Sequence, residues 1–291
     1  MAAIRGVLTA MITPFDEAGG LDEDAARRLA GHLVEHGSHG LVVGGTTGES
    51  PTLSSEEVLG LLGAVRAEVG EEATIVCGTG SNDTRHAAEL TRAVAGAGAD
   101  AALVVTPYYN KPNRAGLRAH FEAVAEAAPE LPIVLYNIPS RVVVNMDPGF
   151  LGELASIDNV VAVKQANDDE LGPIEGLAVL AGNDNTFLRT LEFGGPGGIL
   201  VASHLVGDRM REIWDAAQEA DFERAHEIDA ELQGVYEALT VTTNPIPVKA
   251  ALEMVGLDSG RLRLPMVSAD ESQRAAIRPA LEQAGLLAAA G

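Results

Sequence analysis

The 291-residue chain contains one cysteine, one tryptophan and only three lysines. A lone cysteine, Cys77, cannot form an internal disulfide, which fits a reducing compartment and a cytoplasmic setting. Basic charge is scarce as well: 20 Lys and Arg face 42 Asp and Glu, for a formal net charge of −22. A surface that acidic lacks the basic footprint that nucleic acid or anionic lipid would need. No apolar stretch reaches the roughly 18 residues of a membrane-spanning helix. The opening residues, Met1 to Gly20, carry a single basic residue, Arg5, and no small-residue cleavage pattern, so no targeting segment is expected.

What is present is enough for a sizeable core. Hydrophobic residues make up 46% of the chain and charged residues 21%, a balance that excludes a disordered chain. Short β-branched runs alternate with longer amphipathic stretches. Eight runs read as strands: Val7–Ile12, Leu41–Val43, Thr74–Cys77, Ala101–Val105, Pro132–Tyr136, Val160–Lys164, Leu177–Ala181 and Gly198–Val201. Their near-continuous apolar content suits strands covered on both faces of a parallel sheet. Between them lie helical stretches. Ser54 with Glu57 forms a capping box ahead of Val58, Leu61, Leu62 and Val65, and another helix runs from near Asp22 to a stop at Gly37.

Eight strand–helix units predict an α/β fold, a (β/α)8 TIM barrel over residues 1–207. An open doubly wound sheet usually has fewer strands and a glycine fingerprint after the first, whereas this chain has Thr13-Pro14-Phe15 there. Beyond residue 207 the strand signal ends. Met210–Ala220, Phe222–Leu239, Pro247–Val255 and Ala269–Ala284 read as helices, so 208–291 is expected to hold the last barrel helix and a C-terminal helical extension packed on the barrel.

Barrel enzymes carry their chemistry at the C-terminal strand ends. Here those ends read GGTTGES (Gly44–Ser50), GTGSN (Gly78–Asn82), TPYYN (Thr106–Asn110), YNIPSR (Tyr136–Arg141) and Lys164. Lys164 closes an apolar strand at the barrel mouth, where an uncompensated ammonium would be costly. One reading is a Schiff-base nucleophile: an ordinary lysine is neutral at pH 7 in only about one copy in two thousand, and desolvation would raise that fraction. The other is a structural lysine paired with a carboxylate. Tyr136, on the adjacent strand, can shuttle protons to such an amine or can simply be a satisfied barrel-top aromatic. Thr46 and Thr47 offer hydroxyls and backbone N–H groups suited to a carboxylate, and Arg141 offers a fork of donors for a second one.

Remaining features have plainer readings. His32, His36 and His39 are expected as solvated residues near a helix C-terminus rather than a metal site. Gly194-Gly195-Pro196-Gly197-Gly198 precedes a strand and is expected to be a tight turn for barrel closure. Cys77 is expected in the core. No metal site is expected.

Taken together, Thr13-Pro14-Phe15, the GTTGES turn, Gly78-Thr79-Gly80, TPYYNKP, YNIPSR, Lys164 and NPIPVK (Asn244–Lys249) resemble the dihydrodipicolinate synthase branch of the pyruvate-dependent class I aldolase and lyase superfamily. Their order and spacing agree nearly end to end. The resemblance implies that Lys164 forms a Schiff base with pyruvate and that Tyr136 donates and accepts protons. Thr46 and Tyr109 join Tyr136 in a hydroxyl relay, with Tyr109 supplied by a neighbouring subunit of a homodimer or homotetramer. It further implies Thr47 and Ile199 as pyruvate contacts, Arg141 as partner of the carboxylate of L-aspartate 4-semialdehyde, and Gly182 in the second-substrate segment. No cofactor is needed on this route.

Some positions depart from the family pattern. Gln165 stands where a carboxylate often follows the lysine, and Gly182-Asn183-Asp184 replaces Gly-Asp-Asp. Ser55, Val58 and His86 replace the side chains that hold lysine in feedback-inhibited members, although Asn82 and Tyr108 remain. Weak or absent inhibition by lysine is therefore expected, and strong inhibition at physiological lysine would refute it. A related aldolase for N-acetylneuraminate or 2-keto-3-deoxy sugar acids would share Lys164, Tyr136 and the GTTGE turn, but Arg141 and NPIPVK favour the synthase. A non-catalytic ligand-binding paralogue is opposed by the intact lysine, tyrosines and threonines.

Overall fold

A computed structural model describes residues 4–288; residues 1–3 and 289–291, the outer ends of the two expected segments, lie outside it. The strands are β1 (Gly6–Ala10), β2 (Gly40–Val43), β3 (Thr74–Gly78), β4 (Ala101–Val105), β5 (Ile133–Asn137), β6 (Val160–Gln165), β7 (Ala178–Ala181) and β8 (Gly197–Leu200). They pair in parallel in chain order and β8 closes onto β1, so the sheet is a closed barrel. The (β/α)8 barrel with a helical extension is thus present.

The helices are α1 (Glu23–Glu35), α2 (Ser55–Val69), α3 (Thr84–Gly96), α4 (Arg114–Ala127), α5 (Pro139–Val142), α6 (Pro148–Leu154), α7 (Phe187–Glu192), α8 (Ser203–Gln218), α9 (Phe222–Ala238), α10 (Ile246–Met254) and α11 (Glu271–Gln283). The expected cap at α2 forms: Ser54 accepts from the Glu57 N–H at 3.2 Å and the Glu57 carboxylate accepts from Ser54 N–H at 2.9 Å.

Strand alternation explains the apolar runs. One set of side chains fills the barrel interior, among them Leu8, Val42, Val76, Leu103, Val134, Leu180 and Ile199. The alternate set, including Val7, Leu41, Ile75, Cys77, Ile133 and Val163, packs outward against the helices. Both faces are dry, so both must be apolar; each buried Leu, Ile or Val contributes about 1.5–3 kcal/mol relative to exposure. Cys77 is in the outer layer, where burial pushes its thiol up to about 12. Closure between β8 and β1 needs bare backbone, since a Cβ at Gly197 would collide with the Gly6 carbonyl.

Two readings change. The histidines near α1 do not share a solvated role. His36 is exposed and bonds Asp208 at 2.8 Å, whereas His39 lies against Trp214 and accepts the Val7 N–H at 3.0 Å. Desolvation lowers the His39 pKa to about 4. The helix expected from Met210 starts earlier, at Ser203, and is kinked at Val206 (φ −128°, ψ 35°). Its first two residues are polar yet buried, so the helix start lacks the apolar period that marks a helix in sequence: Ser203 Oγ accepts from Thr9 Oγ1 at 2.8 Å, and His204 Nε2 accepts from Ile12 N–H at 3.1 Å.

Candidate active site

The C-terminal ends of the strands open into a cavity of about 570 Å3 whose wall includes Thr46, Thr47, Tyr136, Arg141, Lys164 and Gly182. Helix α9 leans over the mouth and adds Gln233, Tyr236 and Glu237. Six of the eight expected site residues therefore meet in one cavity.

Neighbouring strands β5 and β6 are in register with Tyr136 opposite Lys164 and Asn137 opposite Gln165. Alternation then sends Tyr136 and Lys164 to the inside together. Lys164 is 5% exposed, and its Nζ sits 4.6 Å from the centroid of the Tyr136 ring. Two of the chain's lysines are buried in this way, but their surroundings differ. Lys249 is ion-paired with Glu49, whereas among the described residues Lys164 has no ion-paired carboxylate. The amine lines the cavity.

Gln165 points the other way. Its Oε1 accepts from Asn137 Nδ2 at 3.0 Å and from Asn167 N–H at 3.1 Å, and it leaves Lys164 untouched. Gly182 follows β7 and lies against β6: its N–H donates to Gln165 O at 2.8 Å, and a side chain there would strike the Gln165 carbonyl and the Ala166 Cβ. Next to it, Asp184 Oδ1 accepts from Val201 and Ala202 N–H at 2.8 and 3.0 Å. Burial pushes the Asp184 carboxyl above its usual range, only partly opposed by those two N–H groups and by the charge of Lys164. Tyr236 donates to Asp229 Oδ1 at 3.3 Å, and burial drives its phenol pKa far up.

The turn bearing Thr46 and Thr47 is built by contacts from both ends of the chain. Thr13 Oγ1 donates to Gly48 O at 2.7 Å. Glu49, in the left-handed region at φ 58°, folds back so that its N–H donates to Thr46 O at 3.1 Å. Its carboxylate is buried and accepts from Lys249 Nζ at 2.6 Å and from Arg263 N–H at 3.0 Å. Lys249 also donates to Thr13 O at 2.8 Å and to Arg261 O at 2.6 Å. The Phe15 ring lies 4.3 Å from both Lys249 Nζ and Arg263 Cζ. Thr13-Pro14-Phe15, GTTGES and NPIPVK are therefore one construction around a buried ion pair. Sequence reasoning used all three as markers and missed the pair that joins them. A lysine inside the apolar run Ile246–Leu252 was the available signal.

Two expected site residues lie outside the cavity. Ile199 is fully buried in the barrel interior, and Val201, two residues further on, lines the wall instead. Tyr109 is 88% exposed, at φ 72°, and does not line this cavity. Ser55, Val58 and His86, the departures from the expected lysine-holding side chains, come together with Tyr108 around a separate cavity of about 120 Å3.

Residues 3–284 match the family model described as the dihydrodipicolinate synthetase family. The chain belongs to this family. It is 49% identical over 278 residues to a 4-hydroxy-tetrahydrodipicolinate synthase of Parasynechococcus marenigrum, covering 93% of this chain and 92% of that one. Among solved structures it is similar to a chloride-inhibited dihydrodipicolinate synthase from Acinetobacter baumannii complexed with pyruvate (TM-score 0.93, 37% identity, 98% and 100% of the two chains). It is also similar to the family member from Cyanidioschyzon merolae with lysine bound (TM-score 0.92, 39% identity, 97% and 99%).

Proposed function

We propose that this cavity condenses pyruvate with L-aspartate 4-semialdehyde through a Schiff base on Lys164. The product is 4-hydroxy-tetrahydrodipicolinate and the activity belongs to lysine biosynthesis. The observation that carries the reading is a buried amine without an ion-paired carboxylate, held against a tyrosine ring on the floor of a cavity that also presents Thr47 and Arg141.

Neutral Lys164 Nζ attacks the keto carbon of pyruvate. Tyr136, with Thr46 and the Tyr109 of a neighbouring subunit, delivers the proton that lets the carbinolamine hydroxyl leave as water. The iminium draws electrons from the methyl carbon, which loses a proton to give an enamine. That carbon bonds to the aldehyde carbon of the second substrate, and the aldehyde oxygen takes up a proton. The amino group of the second substrate then adds to the iminium carbon and expels Lys164, closing the ring and restoring the free amine. Because the iminium is itself the electron sink, the route calls for neither metal nor organic cofactor. Thr47 and Arg141 hold the two carboxylates, and Ile199 supports the pyruvate site from beneath.

Tyr109 supports a site shared between copies of the chain, because it projects from its own subunit on a backbone turn that aims it outward. A homodimer, or a tetramer built from two, supplies it. The lone cysteine supports a cytoplasmic location.

The test is chemical trapping. Incubation with pyruvate and borohydride, then digestion, should yield a reduced adduct on Lys164, and no adduct would defeat every Schiff-base reading. Condensation with aspartate semialdehyde, measured against cleavage of sugar acids, then separates the synthase from its aldolase relatives.

A further inference from the structure

Asn244 opens the NPIPVK segment and forms part of the cavity wall. Its Nδ2 donates to Thr47 Oγ1 at 2.9 Å, while its backbone carbonyl accepts from Arg141 Nη2 at 3.0 Å. One residue therefore touches both groups assigned above to the substrate carboxylates. Its remaining side-chain atom, Oδ1, is buried with no hydrogen-bond partner.

A threonine hydroxyl has one proton and two lone pairs. With a lone pair of Thr47 filled by the amide N–H of Asn244, the Thr47 proton is left for an acceptor inside the cavity. A carboxylate is acceptor-only, so it matches this orientation. Turning the amide over would present Oδ1 to Thr47, consume that proton and leave lone pairs facing the ligand, where they would repel an anion. The donor character of the Asn244 side chain, beyond its volume, thus decides which charge the site accepts.

We propose that Asn244 is a positioning residue that fixes Thr47 as a hydrogen-bond donor toward the keto-acid carboxylate and thereby selects keto acids over their neutral derivatives. The inference rests on Lys164 forming the Schiff base, and its test reads the two separately. Pyruvate and pyruvamide share the reacting ketone and differ in the group that Thr47 would meet. Each is incubated with the full-length protein and borohydride, and the ratio of the two Lys164 adducts is measured.

The unaltered protein should favour pyruvate. Asn244→Ala frees the Thr47 hydroxyl to rotate and should cut the pyruvate preference about tenfold, the scale of one hydrogen bond to a charged group. Asn244→Asp accepts the Thr47 proton and adds negative charge, so its preference should fall further still. In a Thr47→Val background the Asn244→Ala change should leave the ratio where Thr47→Val alone has put it. A merely structural role would weaken trapping of both probes alike, and an unmoved ratio in Asn244→Ala would overturn the proposal. So would an equal drop on Asn244→Ala with or without the Thr47 hydroxyl. If Asn244→Ala does not fold, Thr47→Val reads the same link from its other end, and an unchanged ratio there overturns the proposal equally. Absence of any adduct in the unaltered protein would defeat the Schiff-base reading and this one with it; adducts with an unmoved ratio defeat only the role of Asn244.

Discussion

Replacing Lys249 by methionine should cost about 3–5 kcal/mol of stability, because it strands a buried charge. Methionine fills most of the space of the lysine stem, so the loss is electrical rather than a matter of volume. The ammonium removed donates to Glu49 Oε1 at 2.6 Å, Thr13 O at 2.8 Å and Arg261 O at 2.6 Å. Glu49 is 2% exposed and would keep only the Arg263 N–H at 3.0 Å. Against a typical stability of about 5–15 kcal/mol the loss is a large fraction. With a urea slope of about 3 kcal/mol per molar, the unfolding midpoint should fall by at least about 1 M. The comparison must be made at equal protein concentration, since any self-association would add to apparent stability. Combining Lys249→Met with Glu49→Leu removes both charges and should recover much of the loss. A shift below about 1 kcal/mol in the single variant would place the pair in the weak class of exposed ion pairs and refute the reasoning. A double variant whose cost equals the sum of the two singles would refute it as well.

Tyr136→Phe keeps the ring beneath Lys164 but removes the hydroxyl, so kcat should drop by about 100-fold or more with the melting temperature little changed; near-normal turnover would remove Tyr136 from the relay. Lys164→Ala and Tyr109→Ala proteins, each inactive alone, should regain activity when co-refolded, because a mixed dimer assembles one site with both an intact lysine and an intact neighbouring tyrosine. Failure of mixtures that demonstrably form such dimers would refute the shared site. His204 is fully buried, donates from Nδ1 to Val201 O at 2.8 Å and accepts the Ile12 N–H at Nε2, so a second proton has no room. Burial lowers its pKa from 6.5 to about 4. The unfolded chain therefore binds this proton first as pH falls: the stability it confers is full above pH 6.5 and is lost toward pH 4, roughly 3 kcal/mol at the limit. Urea midpoints of His204→Asn at pH 7 and near pH 4 should differ by less than those of the unaltered protein, and equal differences would refute the assignment.

The barrel was legible because its strands are buried on both faces, so each leaves a continuous apolar run such as Ala101–Val105 or Ile133–Leu135. Strand ends were less so. The reading carried β1 on to Ile12, but pairing stops at Ala10, and the Ile12 N–H is taken by His204 from the far end of the chain. Nothing local announces a contact of that range. The same applies to the start of α8, where Ser203 and His204 are polar and buried because partners 192 and 194 residues away satisfy them. Lys164 and Tyr136 could be picked out because a lone lysine in an apolar strand is chemically conspicuous. The same reasoning applied to Lys249 would have demanded a counter-charge, although not which one, since Glu49 lies 200 residues earlier.

The helical extension therefore has a definite part in the architecture of the barrel mouth. A closed barrel supplies strand ends in a ring, but a hydroxyl such as that of Thr47 can still rotate, and a loop arginine such as Arg141 can still point into solvent. The segment before α10 removes those freedoms through Asn244, which bonds both, and through Lys249, which anchors the Glu49 end of the same turn. Helix α9 then covers the opening with Gln233, Tyr236 and Glu237. With these contacts in place, groups that follow β2 and β5 are held before any substrate arrives, and binding energy is not spent on ordering them. That is why the pattern most specific to the family spreads over residues 13 to 249 rather than gathering around Lys164: placing that amine needs one strand, but its surroundings need nearly the whole chain.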